Sequence, residues 1–194
     1  MPKAFRIGLD LDGIIYRWGD TASLLLEWEF GIILGEVETW DHIRDNITEH
    51  QWDWLWTEGM DRGLFRHGSV YRGGFEAIRE LRQIGDIIVI THRPKSALRD
   101  TQDWLSFHRV NAPVVHLLFR EESKSSVQPQ CHLYIDDKIE NCIDLAINTD
   151  GVVCLWERPW NETERFLLPQ SVKIVNNWKD FLTIAKDVAW TIQK

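Results

Sequence analysis

The stretch Ile7 to Tyr16, IGLDLDGIIY, places two aspartates, Asp10 and Asp12, at i and i+2, directly after an apolar run and directly before a glycine, Gly13. The apolar run reads as a buried strand. A carboxylate at the end of such a strand is costly to bury unless a cation or hydrogen bonds compensate it. Two of them next to a flexible glycine point to a metal or phosphate site, because ligands of doubly wound α/β sheets bind at the carboxyl ends of the strands. The competing reading is a surface turn, since Asp-Gly is common in hairpins.

The rest of the chain repeats the pattern of an apolar run ending in chemistry. Ile87 to Ile90 ends in Thr91-His92-Arg93-Pro94, Lys124 stands alone in the loop-like EESKSSV, and His132 to Ile135 ends in Asp136-Asp137. Strand-Asp-x-Asp, strand-Thr, Lys and strand-Asp-Asp, in that order, resemble the haloacid dehalogenase (HAD) superfamily of phosphotransferases. Two further segments, GLFRHGSVYRGGFEAIRELRQIGDIIVITHRP and GVVCLWERPWNE, make the chain similar to the 5'(3')-deoxyribonucleotidase branch from Phe5 to about Asn161. One departure is Thr91-His92-Arg93, where branch members often carry a small residue and then proline after the threonine. It leaves a phosphate contact from Thr91 intact and bears on substrate identity, because His92 and Arg93 add bulk and charge at the pocket wall.

Composition fits this class. A chain of 194 residues suffices for one α/β core with a modest insertion. Its net charge of −8 argues against broad nucleic-acid binding, which needs a basic footprint. No stretch approaches the ~18 apolar residues of a membrane span, and the start MPKAFRIGLD lacks a secretory signal. Three cysteines without CxxC spacing, Cys131, Cys142 and Cys154, read as reduced thiols of a cytoplasmic protein rather than a zinc site.

Along the chain, Phe5 to Leu11 is the first expected strand, and Trp18 to about Tyr71 interrupts the alternation. A small helical cap is expected there (18–71), with helices at Thr21–Phe30 and Thr48–Glu58; Thr48 and Gln51 have capping-box spacing. The core, 1–17 and 72–194, resumes with a helix from Gly73-Gly74 through Ile84 to Gly85, carrying Phe75, Ile78, Leu81 and Arg82 at helical spacing. Strand Ile87–Ile90 follows, then a helix with Pro94 in its first turn running to about Phe107. Strands are expected at Val114–Leu118, Cys131–Ile135, Val152–Trp156 and Val172–Val175, with a helix at Ile139–Ile147. A last helix capped by Asn177 buries Phe181, Ile184, Ala185, Val188 and Ile192. The fold expected is α/β, a Rossmann-like HAD core with a mostly parallel sheet and the cap inserted after the first strand.

The resemblance implies roles. Asp10 would be the nucleophile that forms an aspartyl-phosphate, and Asp12 the general acid and then base; alternation along a strand would aim both at one face. Mg2+ would be held by Asp10, Asp136 and the main-chain carbonyl of Asp12, with Asp137 acting through water or orienting one. Thr91 and Lys124 would contact the phosphate, with Gly13, His92 and Arg93 lining its pocket. For His92, direct contact and mere packing with only the backbone N–H on phosphate are equal alternatives. In QWDWLW, Trp52 and Trp56 share a helical face and either stack on a nucleobase or fasten the cap, to the core or to a second copy in a homodimer. Arg158 and Asn161 lie either at the site mouth or in a capped turn around Pro159. The implied activity is Mg2+-dependent hydrolysis of a (deoxy)nucleoside monophosphate. Another phosphomonoester, whether sugar phosphate or nucleic-acid end, and a non-catalytic binding protein are the alternatives.

Overall fold

The computed structural model describes residues 5–116 and 121–192. Six strands form one sheet in the order β3-β2-β1-β4-β5-β6: β1 Arg6–Leu9, β2 Asp86–Thr91, β3 Val114–His116, β4 Leu133–Asp136, β5 Val152–Trp156 and β6 Lys173–Val175. Every pairing is parallel, with Leu9 opposite Val89 on one side and Ile135 on the other. The direction of winding reverses between β1 and β4, and a crevice at the carboxyl ends of these strands is the ligand position of this sheet type.

Helices α1 Trp18–Phe30, α2 His42–Asp45, α3 Glu49–Leu55 and α4 Glu58–Asp61 lie between β1 and β2; α5 Gly74–Ile84 completes that connection. Helices α6 Leu98–Phe107, α7 Ile139–Asn148 and α8 Trp178–Ile192 follow in the core. The chain leaves and re-enters the core side by side. Arg17 N–H donates to the Ser69 carbonyl and Tyr71 N–H to the Ile15 carbonyl, with Tyr16 bridged to Val70. Beyond this neck, α1 to α4 pack around an apolar cluster of Ala22, Leu25, Leu26, Ile43, Trp54, Leu55, Leu64 and Phe65, which Ala97 joins from beyond β2.

Several expected boundaries shift. β1 stops at Leu9 rather than Leu11, because Leu11 O turns back to accept from the N–H groups of Ile14, Ile15 and Tyr16. Thr48 and Gln51 form the expected capping box, yet the helix they start ends at Leu55 instead of Glu58, and Thr57 leaves helical geometry (φ −119°, ψ −91°) before α4. Pro94 does not enter a helix; it precedes a 3-10 turn, Lys95–Ala97. β4 begins at Leu133 rather than Cys131, whose N–H is taken by the Tyr134 hydroxyl at 2.8 Å, and it runs on to Asp136. The outer part of the expected strand Val114–Leu118, residues 117–118, lies outside the described residues. Asn177 caps α8 by accepting from Asp180 N–H at 2.9 Å; of the expected stripe Phe181 and Ala185 are fully buried, and Ile184, Val188 and Ile192 only partly. Among the described residues no helix is long and apolar enough to cross a membrane.

Candidate active site

Asp10, Thr91 and Asp136 all come from the carboxyl ends of the adjacent strands β1, β2 and β4. Asp10 follows β1, its N–H extending the ladder to Ile135 O at 3.1 Å, while Thr91 and Asp136 are the last residues of β2 and β4. All three are buried. One carboxylate oxygen each from Asp10, Asp136 and Asp137 lie within 4.8 Å of one another.

Lys124 closes this group from the far side. It begins a 3-10 turn, Lys124–Ser126, that Ser125 pins to α7 through Asp144, N–H at 3.1 Å and Oγ at 2.8 Å. Its Nζ donates to Asp10 Oδ1 at 2.8 Å and Asp136 Oδ2 at 2.6 Å. Burial alone would lower the ammonium's pKa, but the two carboxylates outweigh it and hold the pKa above its ordinary value. Burial pushes Asp10 up to about 7, with Asp136 and Asp12 adding to the rise against Lys124. Burial likewise raises Asp137, helped by Asp10 and Asp136.

The two aspartates at the end of β4 differ. Asp136 is tied on both oxygens: Oδ1 accepts from Lys138 N–H and Asn141 Nδ2, Oδ2 from Asn141 and Lys124. Asp137 Oδ2 accepts from Trp160 Nε1 at 2.9 Å, whereas its buried Oδ1 has no hydrogen-bond partner among the described residues. An unpartnered buried carboxylate oxygen beside two more carboxylates is a donor set that fits a hard divalent cation. Gly13 makes room for it: with φ +77°, a Cβ there would stand 1.9 Å from Asp137 Oδ2.

The Arg158–Asn161 loop is a capped turn that braces the site from behind. Asn161 Nδ2 donates to the carbonyls of Asp137 and Trp156, both at 2.8 Å, and its Oδ1 accepts from Arg158 N–H. Arg158 Nε donates to Gly13 O at 2.7 Å, and its guanidinium lies 3.8 Å from the Tyr71 ring centre. The capped turn is present, and it also sets Arg158 against Gly13 and Asn161 against Asp137, beside the carboxylates. Trp160 and Asn141, which touch Asp137 and Asp136, carried no signal in the sequence beyond proximity to those motifs.

The structure also places Asp12, Asp137, Arg93 and His92. Asp12 lies beyond the end of β1, and its side chain, 28% exposed, pairs with Arg93 while its charge still acts on Asp10. Asp137 joins Asp10 and Asp136 in the acidic cluster. Arg93 is not a pocket-wall residue facing substrate: its side chain is fully enclosed and gives Nε and Nη2 to Asp12. His92 Nε2 lies 2.9 Å from the Glu122 carbonyl, so the ring packs toward the Lys124 segment, and burial lowers its pKa.

The cap tryptophans also divide differently. Trp56 stacks on Trp18 and contacts Phe65, and Trp52 meets Trp56 edge-on, so both rings are used inside the cap cluster. A hollow of ≈ 300 Å³ is bounded by Trp56, Thr57, Glu58, Met60, Asp61 and Ser96, not by Asp10, Asp136 or Asp137. Trp40, in the loop between α1 and α2, is 47% exposed and lies 4.7 Å over Lys138 Nζ. Lys138 directly follows Asp137, which places this ring beside the site.

The fold is of the haloacid dehalogenase (HAD) type. Solved structures agree on the fold: the haloacid dehalogenase-like protein SP0104 of Streptococcus pneumoniae superposes with a TM-score of 0.66 at 12% identity, covering 95% of this chain and 99% of that one. YfnB of Bacillus subtilis, assigned as a HAD-hydrolase and solved bound to magnesium, gives 0.61 at 14% identity over 94% and 98%. The family model for 5' nucleotidase, deoxy (pyrimidine), cytosolic type C protein matches residues 5–187, and the chain belongs to that family. BH1399 of Halalkalibacterium halodurans, assigned as a nucleotidase, is 24% identical over 186 residues, 92% of this chain and 91% of its own. The chain is thus a phosphoric monoester hydrolase by family.

Proposed function

We propose that the protein hydrolyses (deoxy)nucleoside monophosphates through an aspartyl-phosphate on Asp10, with residues 18–71 acting as the substrate-selecting cap and Mg2+ as cofactor. The observation that supports this best is the convergence of Asp10, Asp136 and Asp137 around Lys124 at the carboxyl end of the sheet. The reaction begins as an Asp10 carboxylate oxygen attacks phosphorus. The bond to the ester oxygen breaks, its electron pair stays on that oxygen, and Asp12 supplies the proton. Water then attacks the phosphoenzyme, gives its proton to Asp12, and the electron pair of the breaking P–O bond returns to Asp10.

Lys124 fixes the orientation of Asp10 and offers positive charge to the phosphoryl oxygens, and Thr91 adds a hydroxyl. Mg2+ bound by Asp10, Asp136, Asp137 and the Asp12 carbonyl would offset charge on the transferred phosphoryl group. Trp40 is the cap aromatic best placed to stack on a base, and the buried free cysteines suit a reducing cytoplasm.

The test is turnover of a panel of deoxynucleoside, nucleoside and sugar phosphates with Mg2+, by wild type and Asp10→Asn. A folded, inactive Asp10→Asn beside an active wild type with a nucleotide preference is the expected outcome. Asp10→Asn within tenfold of wild type sinks the covalent route. A wild type that turns over no phosphomonoester sinks the enzymatic reading altogether.

A further inference from the structure

Arg93 is an enclosed cation for which the chemistry so far has no use. Its Nε donates to Asp12 Oδ2 at 2.9 Å and its Nη2 to Asp12 Oδ1 at 2.7 Å, a two-pronged pair. Nη1 donates to Thr101 Oγ1 at 3.2 Å and to the Phe65 carbonyl at 3.4 Å. The guanidinium carbon sits 4.2 Å from the Tyr16 ring centre and 4.9 Å from that of Phe65. Even the backbone is fastened, the Arg93 N–H donating to Thr91 Oγ1 at 3.2 Å.

Asp12 needs such a hold. It lies beyond the end of β1, in the turn that Leu11 O organises, so no strand register fixes its rotamer. A proton donor works only when held within hydrogen-bond reach of the oxygen it serves. Arg93 is held from several sides and is itself too buried to meet substrate. Lysine could not replace it, having no planar fork to match a carboxylate.

We infer that Arg93 is the positioning residue for Asp12, holding that carboxyl in the orientation from which it protonates the leaving oxygen and later takes the proton of the attacking water. This rests on the acid–base role given to Asp12 above. Phe65 and Tyr16, at the base of the cap, make the same hold part of how the cap is seated.

A residue acting only through Asp12 affects only steps that move a proton. The alkoxide leaving from a nucleotide needs one; p-nitrophenolate leaves without it. Arg93→Gln should therefore lower kcat/KM for a nucleoside monophosphate by ~10² or more, within the span of general acid catalysis, and for p-nitrophenyl phosphate by less than about tenfold. Because the phosphoenzyme still needs Asp12 as base, the variant should release p-nitrophenolate in a pre-steady-state burst. On top of Asp12→Ala, Arg93→Gln should cost no more than about twofold, as expected of residues that act as a unit.

Equal losses on both substrates without a burst, or full additivity with Asp12→Ala, would reduce Arg93 to a structural cation. Where Arg93→Gln does not fold, Thr101→Val decides, since it removes one Nη1 partner and leaves the ion pair in place. Its nucleotide-to-aryl ratio of kcat/KM should fall several-fold, about the worth of one hydrogen bond, and an unchanged ratio overturns the inference. A wild type inactive on both substrates refutes the phosphatase reading instead, and Arg93→Gln then has no bearing on it.

Discussion

Gly13→Ala tests whether the carboxylate cluster depends on the turn after β1. The new Cβ would stand 1.9 Å from Asp137 Oδ2 and 2.5 Å from its Cγ, where contacts under 3.0 Å essentially never occur, so the carboxyl must retreat by about 1.1 Å (3.0 less 1.9). Backbone at φ +77° adds about 1–2 kcal/mol for any residue with a Cβ. Displacing Asp137 also stretches its bond from Trp160, a hydrogen bond worth about 0.5–1.5 kcal/mol. Together these amount to about 1.5–3.5 kcal/mol, and at about 2–4 °C per kcal/mol for a domain of this size the melting temperature should drop by about 3–14 °C. The Mg2+ concentration for half-maximal activity should rise by at least ~10-fold, the usual cost of disturbing the surroundings of a metal site. Gly31→Ala is the control: φ is +67° there, but no atom lies within 4 Å of its Cβ position. It should lose only the backbone share and keep the wild-type Mg2+ dependence. A Gly13→Ala protein with unchanged melting and unchanged Mg2+ dependence would refute the reasoning, as would a Gly31→Ala protein with the same Mg2+ defect.

Lys124→Met leaves Asp10 and Asp136 buried without their shared cation, so thermal melts in EDTA should show a loss of about 3–5 kcal/mol. Its kcat should fall by ~10²–10³ even where Mg2+ restores the melting temperature. In the metal-free protein, Asp10 has a pKa of about 7, above the unfolded value, so the folded state binds the extra proton. Its contribution is present in full below the unfolded pKa of about 4 and is lost as pH rises through about 7, so urea melts in EDTA should weaken over that window. Mg2+ stabilisation should grow over the same window, and a flat profile would count against the value for Asp10. Trp40→Ala should raise KM for nucleotides by well under a thousandfold, at most ~3 kcal/mol, and leave a sugar phosphate unaffected. Equal losses on both would make Trp40 a cap-folding residue.

The core of the site was legible because its signals are local. Each of Asp10, Thr91 and Asp136 ends an apolar run, and a charged or hydroxylic residue there stands out against a buried strand. Parallel pairing in the order β2-β1-β4 then brings those ends together without further instruction. Helical spacing also placed Trp52 and Trp56 correctly on one face, 5.6 Å apart. Spacing does not say what that face meets, and Trp18 and Phe65 occupy it. The Asp12–Arg93 pair joins residues 81 apart, and Trp40 meets Lys138 across the cap. Such contacts join residues far apart in the sequence, which no local pattern encodes.

The charges in the cluster explain why these perturbations share one cause. Asp12 is paired with Arg93 outside the cluster and acts on Asp10 only as a lesser cause of its raised pKa. That leaves Asp10, Asp136 and Asp137 against Lys124, a formal charge of −3 + 1 = −2 on four buried side chains. Hydrogen bonds meet part of this demand at Asp136, whereas Asp137 keeps one buried oxygen without any. Without a cation the residual charge must be relieved by protons, which is the direction in which Asp10 and Asp137 are both displaced. A divalent cation would cancel the deficit in one step and release those protons, freeing Asp10 as a carboxylate nucleophile. On this reading the excess of buried acid would favour a hard dication over water at this place, and Asp10, with its raised pKa, would give up its proton as that cation binds.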